Sequence, residues 1–297
     1  MQGMAACGKA LGWQIFVRLG YGGDGFWGVT PQAEGLCVFD AVLARLRRAL
    51  PHAQPYAVCW AARTDRGVHA RENWLSFRLR LGGGADVQPV LDALQDGGRP
   101  DGLVNVRAQQ ISVRLMARNC AWAKHYRYHL PGGDGRTLAR LQEAAAVLSG
   151  SLWAGRLAHP SVVGGRQALW RTGLVVGAHA HGPAGGHVVD VVGGGFLRRQ
   201  VRYMVAALDA VRQGHWSLDD LRVLAQGQAG PLRPGFVGPA PAGGLTLMEL
   251  LPDPAWQPHL QQALPEPASK AFAPWLAQKP LGAAAALAHE ARDGEFA

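Results

Sequence analysis

The sequence predicts an α+β fold, a mostly antiparallel sheet flanked by helices. Three observations lead there. Apolar and polar residues alternate in short runs such as Leu75-Ser76-Phe77-Arg78-Leu79-Arg80, the period of a half-buried strand. Other stretches are apolar at helical spacing, most clearly Leu197, Val201, Met204, Val205, Leu208 and Val211. Their order in the first half, strand–helix–strand–strand–helix–strands, suggests an antiparallel sheet with helices on one face.

Taken in turn, Trp13–Leu19 reads as the first strand, followed by a glycine-rich turn around Gly22–Gly28. Leu36, Phe39, Leu43, Leu46 and Leu50 predict an amphipathic helix with Arg45, Arg47 and Arg48 towards its carboxyl end. The run Tyr56–Ala61 is a strand leading into a turn that contains Gly67, and the alternating strand at 75–80 comes next. A short helix around Pro89–Leu94 and strands near Val104–Val113 and Ala121–Leu130 complete a first half. Pro131–Gly135 reads as a seam. Helix Leu138–Leu148, a weakly patterned Gly/His/Pro stretch to Gly165, and strands Leu169–Ala178 and Gly186–Val192 follow. Then come helix Phe196–Arg212, a helix opened by a Ser217/Asp220 capping box and ended by Gly227, and strand Leu245–Leu250. The divisions are therefore 1–130, 131–251 and a Pro/Ala-rich tail, 252–297, with a short helix expected near Ala283–Ala291.

Composition narrows the function classes. The 297 residues are 48% hydrophobic and 17% charged, enough apolar surface for a substantial core. Only four of the 30 basic residues are lysine, and the net charge is +9. An arginine excess suits phosphate contacts, because the guanidinium fork can bind two oxygens at once. Cys7, Cys37, Cys59 and Cys120 are isolated and read as small hydrophobes in a reducing compartment, not as metal ligands or disulfides. No apolar run is long enough to span a membrane. No phosphate-binding loop, dinucleotide fingerprint or metal cluster is present, so no cofactor is expected. A cytoplasmic protein is expected, with an organellar matrix or stroma as the alternative if an import sequence is missing.

One segment carries chemistry, Ala61-Ala62-Arg63-Thr64-Asp65-Arg66-Gly67-Val68-His69-Ala70. It presents a carboxylate at the end of a strand on a tight loop, with a cation two residues before it, as nucleophiles and acid/base groups are presented. Taken alone, Arg-Thr-Asp is more often an Asx-turn with a solvated arginine. The rest of the chain weighs against that reading.

The segment resembles the catalytic loop of the tRNA pseudouridine synthases of the TruA family, close to Gly-Arg-Thr-Asp-Ala-Gly-Val-His-Ala. Seven of those nine positions match, with Ala62 standing for glycine and Arg66 for alanine. Tyr21-Gly22-Gly23-Asp24-Gly25-Phe26-Trp27-Gly28 is similar to the family's opening Tyr-Asp-Gly-x-x-Phe-x-Gly. Ala117-Arg118 with Lys124-His125-Tyr126-Arg127-Tyr128 resembles its Ala-Arg and Tyr-Arg-Tyr strand. Gly195–Arg202 resembles Gly-x-x-Phe-Leu-x-x-x-Val-Arg, and Ala240–Leu245 the closing Ala-Pro-x-x-Gly-Leu. These five blocks keep the family's order from residue 13 to about 251.

The resemblance implies a pseudouridine synthase fold of two pseudo-symmetric halves with a basic catalytic cleft between them. It implies isomerisation of uridine in the anticodon stem-loop of tRNA, at positions 38–40, by a homodimer. Asp65 would be the nucleophile, Arg202 its ion-pair partner, Tyr126 the residue packed on the target base, and Leu245 part of the pocket wall. His69 would fix the loop by hydrogen bonding. Arg63, Arg66, Arg118 and Arg198 complete the expected substrate-binding set, with Arg198 one turn before Arg202 and on the same face. Arg18, Arg78, Arg80 and Arg127 are further candidates to line the cleft. The chain departs from the pattern at Arg66, at Val29-Thr30-Pro31-Gln32 where the family has Trp-Gln, and at Ser151–Arg156 where it has an Asp-Phe pair and a second Phe. These departures keep open an RNA-binding relative with weak or no catalysis and a structural or chaperone role. Retention of Asp65, Tyr126 and Arg202 together argues against it. An unrelated hydrolase using Asp65 and His69 would need a positioned water or a metal, for which the sequence offers no clear partner.

Overall fold

Strands and helices follow one another as β1 (Gly12–Tyr21), α1 (Val38–Ala49), β2 (Tyr56–Trp60), β3 (His69–Arg80), α2 (Gln88–Gln95), β4 (Leu103–Ile111), α3 (Ala117–Cys120) and β5 (Ala121–Leu130). The second part of the chain adds α4 (Gly135–Leu148), β6 (Gly150–Trp153), β7 (Trp170–Ala180), β8 (His187–Gly193), α5 (Gln200–Arg212), α6 (Leu218–Ala225) and β9 (Leu245–Pro252). The structure, a computed structural model, describes residues 12–80, 86–97, 101–111, 115–162, 170–180, 185–228 and 238–256. Cys7 and the helix expected near 283–291 lie outside the described residues. No described helix is long and apolar enough to cross a membrane.

The described strands form one nine-stranded sheet in the order β4-β1-β3-β9-β5-β8-β7-β6, with β2 also on β3. This is the α+β architecture the sequence predicts. Every pairing is antiparallel except β3 with β9. The last described strand thus lies at the centre, between the strand that follows the Asp65 loop and the Tyr126 strand. Its register with β3, His69↔Thr246 and Ala70↔Leu247, sets Leu245 beside the residue where that loop ends.

Period-two alternation gives β5 two faces. Tyr126 and Tyr128 are buried with Val189, Val191, Leu245 and Leu247 in the main core, which also takes in the apolar face of α5. His125 and Arg127 point the other way, to Asp190 of β8. Helix α4 begins at Gly135 because Asp134 caps it: its Oδ1 accepts from the Thr137 N–H at 2.8 Å. It buries Leu141, Ala144, Ala145 and Leu148, each leucine contributing roughly 2 kcal/mol of transfer free energy. The Ser217/Asp220 capping box opens α6 as predicted.

Three local expectations need correction. Leu36 is exposed and precedes α1, whose buried face is Val38, Ala41, Val42, Arg45 and Leu46. The helix starts at Val38 because Asp40 Oδ2 accepts from the Cys37 N–H at 2.8 Å, and its inward face is rotated to include a paired arginine. Helix α5 starts at Gln200 rather than Phe196, because Arg199 adopts a left-handed backbone (φ 59°, ψ 9°) that no α-helix continues through. The buried Gln200 side chain closes that turn by accepting from the Leu197 N–H at 2.8 Å. Within the weakly patterned stretch after α4, Gly150–Trp153 forms a short strand on β7.

Candidate active site

The Asp65 loop is gripped before and after the aspartate. Upstream, the fully buried Asn73 on β3 accepts from the Ala62 N–H at 3.2 Å and donates to the Ala62 carbonyl at 2.8 Å. Its amide also donates to the Tyr21 hydroxyl at 3.1 Å, and that hydroxyl shares a hydrogen bond with Thr64 Oγ1 at 2.9 Å. Burial pushes the Tyr21 phenol up to about 12, against the pull of those two hydrogen bonds, so it stays protonated. Downstream, the Val68 N–H donates to the Asp65 carbonyl at 3.2 Å, closing a turn in which Gly67 has φ 80°.

The opening glycine block is shaped to this loop. A Cβ at Gly23 would fall 2.5 Å from the Gly67 carbonyl carbon, and one at Gly28 would fall 2.9 Å from the Thr64 carbonyl oxygen. Only glycine allows the two segments to approach so closely. The gap is bridged by the Gly23 N–H, which donates to His69 Nδ1 at 3.1 Å.

Across the junction, α5 brings Arg202 to the aspartate. Arg202 lies in the first turn of the helix, and its Nη1 donates to Asp65 Oδ2 at 3.1 Å. Its Nε donates to the Ala240 carbonyl at 2.7 Å, while the Ala240 N–H returns a bond to the Arg202 carbonyl at 3.0 Å. The closing Ala-Pro block therefore clamps the arginine at both backbone and side chain. The Asp65 side chain remains 28% exposed against 13% for Arg202, so a carboxylate face is open to an incoming group.

The second arginine at the aspartate is not Arg198, which is exposed outside the helix, but Arg199. Its Nε lies 3.8 Å from Asp65 Oδ2 and, though buried, has no hydrogen-bond partner among the described residues. The left-handed backbone at Arg199 is what turns it inward, and uninterrupted helical spacing would have selected residue 198 instead. Backbone strain at such a point is a recurring mark of functional sites.

Tyr126 is buried on the same side of the sheet, edge-on to Phe196 with ring centroids 5.5 Å apart. Burial raises its hydroxyl pKa, and the neighbouring Tyr21 and Asp65 push it further in that direction. The hydroxyl therefore stays protonated. Leu245 is buried at the start of β9, paired with Tyr128.

The remaining arginines divide. Arg63 and Arg66 are exposed beside Asp65, Arg63 reaching Thr30 Oγ1 at 3.5 Å and Arg66 stacking 3.7 Å from the centroid of the Trp27 ring. Arg118 is exposed on α3, whose first N–H bonds Ser76 well along β3 from His69, so it is not gathered at Asp65. Arg18 and Arg127 are neutralised by Glu72 and Asp190, Arg78 bonds Gln14, and Arg80 lies over Tyr56. Sequence reasoning missed Asn73, Phe196 and Arg199. Phe196 and Arg199 belong to the Gly195–Arg202 segment, but only the backbone turn shows where they point.

Comparison with known proteins identifies the family. A family model described as tRNA pseudouridine synthase matches residues 149–250. The tRNA pseudouridine synthase A of Neisseria meningitidis is 28% identical over 232 residues, covering 71% of this chain and 82% of that protein. The protein of that name from Methanosarcina mazei is 27% identical over 247 residues, covering 79% and 83%. The one from Geobacter sulfurreducens is 30% identical over 253 residues, covering 80% of this chain and 98% of its own length. A match that runs through nearly the whole of that relative takes in both the aspartate loop and the arginine helix, and the chain belongs to the tRNA pseudouridine synthase A family.

Proposed function

We propose that this tRNA pseudouridine synthase acts on uridines in the anticodon stem-loop, in the region of positions 38–40, with Asp65 as its nucleophile. The reaction breaks the N1–C1′ bond, turns the base and joins C5 to C1′. One proton leaves C5 and one is taken up at N1, so nothing is oxidised or reduced. The observation that carries the reading is the Asp65–Arg202 pair: a carboxylate fixed in orientation by a 3.1 Å bond from one side and open on the other. Tyr126 offers a ring face to the uracil, and Leu245 supplies apolar wall. A uridine stacked in RNA must be flipped out to reach this depth, at a cost of roughly a few kcal/mol that backbone contacts offset. Arg63, Arg66 and His69 stand closest to the loop for that purpose. The working unit is a homodimer in which one RNA touches both subunits.

The reading is tested by carbodiimide-dependent primer extension on unmodified tRNA incubated with wild-type protein or Asp65→Ala. New stops within the anticodon stem-loop with wild type, and none with the variant, are expected. Stops elsewhere in the tRNA would refute the substrate assignment, and stops persisting with Asp65→Ala would refute the nucleophile.

A further inference from the structure

Arg66 is a cation held ready beside the aspartate, and nothing described in the protein uses its hydrogen-bonding edge. Its guanidinium carbon lies 3.7 Å from the Trp27 ring centroid, close enough for full face-to-face contact. Trp27 is itself fixed. Its backbone N–H donates to the Leu36 carbonyl at 2.8 Å, and its backbone carbonyl accepts from Gln32 Nε2 at 2.7 Å. Gly35 lies so close behind the indole that a Cβ there would overlap the ring. The indole is thus braced by backbone on one side and carries Arg66 on the other. The 27–36 segment is locked to the catalytic loop at Gly28 and receives a second arm from the loop where Arg63 meets Thr30. The two departures from the family pattern, Arg66 and the 29–32 segment, thus both lie where these two segments pack together.

Stacking fixes the plane of a guanidinium while leaving its N–H groups free along the edge, the arrangement that suits two oxygens of one phosphate. Arg66 is exposed and has no hydrogen bond or ion pair among the described residues. It follows Asp65 directly in the chain, so a phosphate bound there belongs to a nucleotide at or next to the one in the site. We propose that Arg66, stacked on Trp27, is a preformed clamp for an RNA backbone phosphate beside the target nucleotide. The clamp rests on the reading that a polynucleotide enters at Asp65, but not on which uridine is isomerised.

The test is binding of an unmodified tRNA transcript to the full chain between about 50 and 300 mM KCl, carried out in an Asp65→Ala background so that turnover does not intervene. Removing one phosphate contact is expected to lower the slope of log affinity against log salt by about 0.7–0.9. Arg66→Ala should show that loss of slope, with affinity down about tenfold at the lowest salt. Arg66→Lys should keep the slope but lose part of the affinity, because an ammonium keeps the charge and not the plane. Trp27→Leu should weaken binding about threefold at unchanged slope, the charge being present but no longer held. With Asp65 restored, the Arg66→Ala loss should fall mainly on KM. An unchanged slope in Arg66→Ala overturns the clamp, whether affinity is retained or falls, since a fall without a change in slope would mean base stacking. Should wild-type protein bind tRNA and form no pseudouridine, the uridine reading fails while the slopes still decide on Arg66.

Discussion

Two arginine–aspartate pairs in this chain are built from the same side chains and finished differently. Arg45 meets Asp101 through two nitrogens, at 2.5 and 2.7 Å, and spends its other donors on the Leu94 and Leu103 carbonyls. Asp101 also accepts from the Leu103 N–H, and although burial would raise its pKa, the Arg45 bonds hold it below the usual carboxylate range. Arg202 meets Asp65 through one nitrogen at 3.1 Å, and a second arginine waits at 3.8 Å without a bond. The first pair is saturated and ties α1 to the start of β4. The second is held in place from behind, by Asn73 and Ala240, and left unfinished in front. Saturation, rather than charge, separates the structural pair from the one proposed to react.

The sharpest way to separate them is to remove each arginine. Arg202→Met should cut the rate of pseudouridine formation by about a hundredfold or more under single-turnover conditions, since the carboxylate loses the group that orients it. Arg45→Met should instead cost stability, about 3 kcal/mol by urea denaturation, because it strands a partly buried carboxylate and two carbonyls. The folded fraction of Arg45→Met should turn over at the wild-type rate. If the two effects were exchanged, the distinction drawn from saturation would be wrong.

A third charged group lies on the opposite sheet face and titrates as a closed network. Burial alone would push the His125 imidazole down, but Asp190 at 2.8 Å and Glu249 at 3.4 Å on its two ring nitrogens push it up. Burial would raise Asp190, yet the bonds from His125 and Arg127 hold it at about 2. A depressed carboxylate stabilises the fold above its unfolded pKa near 4, and that contribution disappears as pH falls towards about 2. A raised histidine stabilises below its unfolded pKa near 6.5, and its contribution is lost as pH rises through the folded value. Asp190→Asn should therefore lose about 2 kcal/mol at pH 5, with the gap to wild type closing as pH falls from about 4 to 2. A gap that stays constant over that range would show that Asp190 is not held as described. The smallest effect is expected at Tyr21→Phe, which keeps the packing and removes the hydroxyl that joins Asn73 to Thr64, costing about 1 kcal/mol by urea denaturation.

Local chemistry explains which parts of this fold were legible in the sequence. Strand β5 matches its predicted range, Ala121–Leu130, because Tyr126, Tyr128 and Leu130 alternate with His125, Arg127 and His129 over its second half, and α6 is announced by its Ser217/Asp220 box. What escaped depends on distant partners or on one backbone angle. Arg45 reads as a surface cation until Asp101, 56 residues later, is seen to neutralise it. Arg18 and Arg127 read as cleft-lining cations until Glu72 and Asp190 claim them. The α5 start depends on one left-handed residue, Arg199, and no periodicity signals such a turn inside an apolar stripe. The central place of β9 rests on a parallel pairing with β3 across most of the chain, which no local pattern encodes.

The decisive measurement is single-turnover release of tritium from the uridine C5 of tRNA, run with wild type, Asp65→Ala and Arg45→Met at equal folded concentration. C5 must lose its hydrogen before pseudouridine can form, so the release reports on chemistry rather than on binding. Wild type and Arg45→Met should release tritium at the same rate, and Asp65→Ala should fall by at least about a thousandfold while still binding tRNA. Release by Asp65→Ala within tenfold of wild type would contradict the assignment of the unfinished pair as the reactive one.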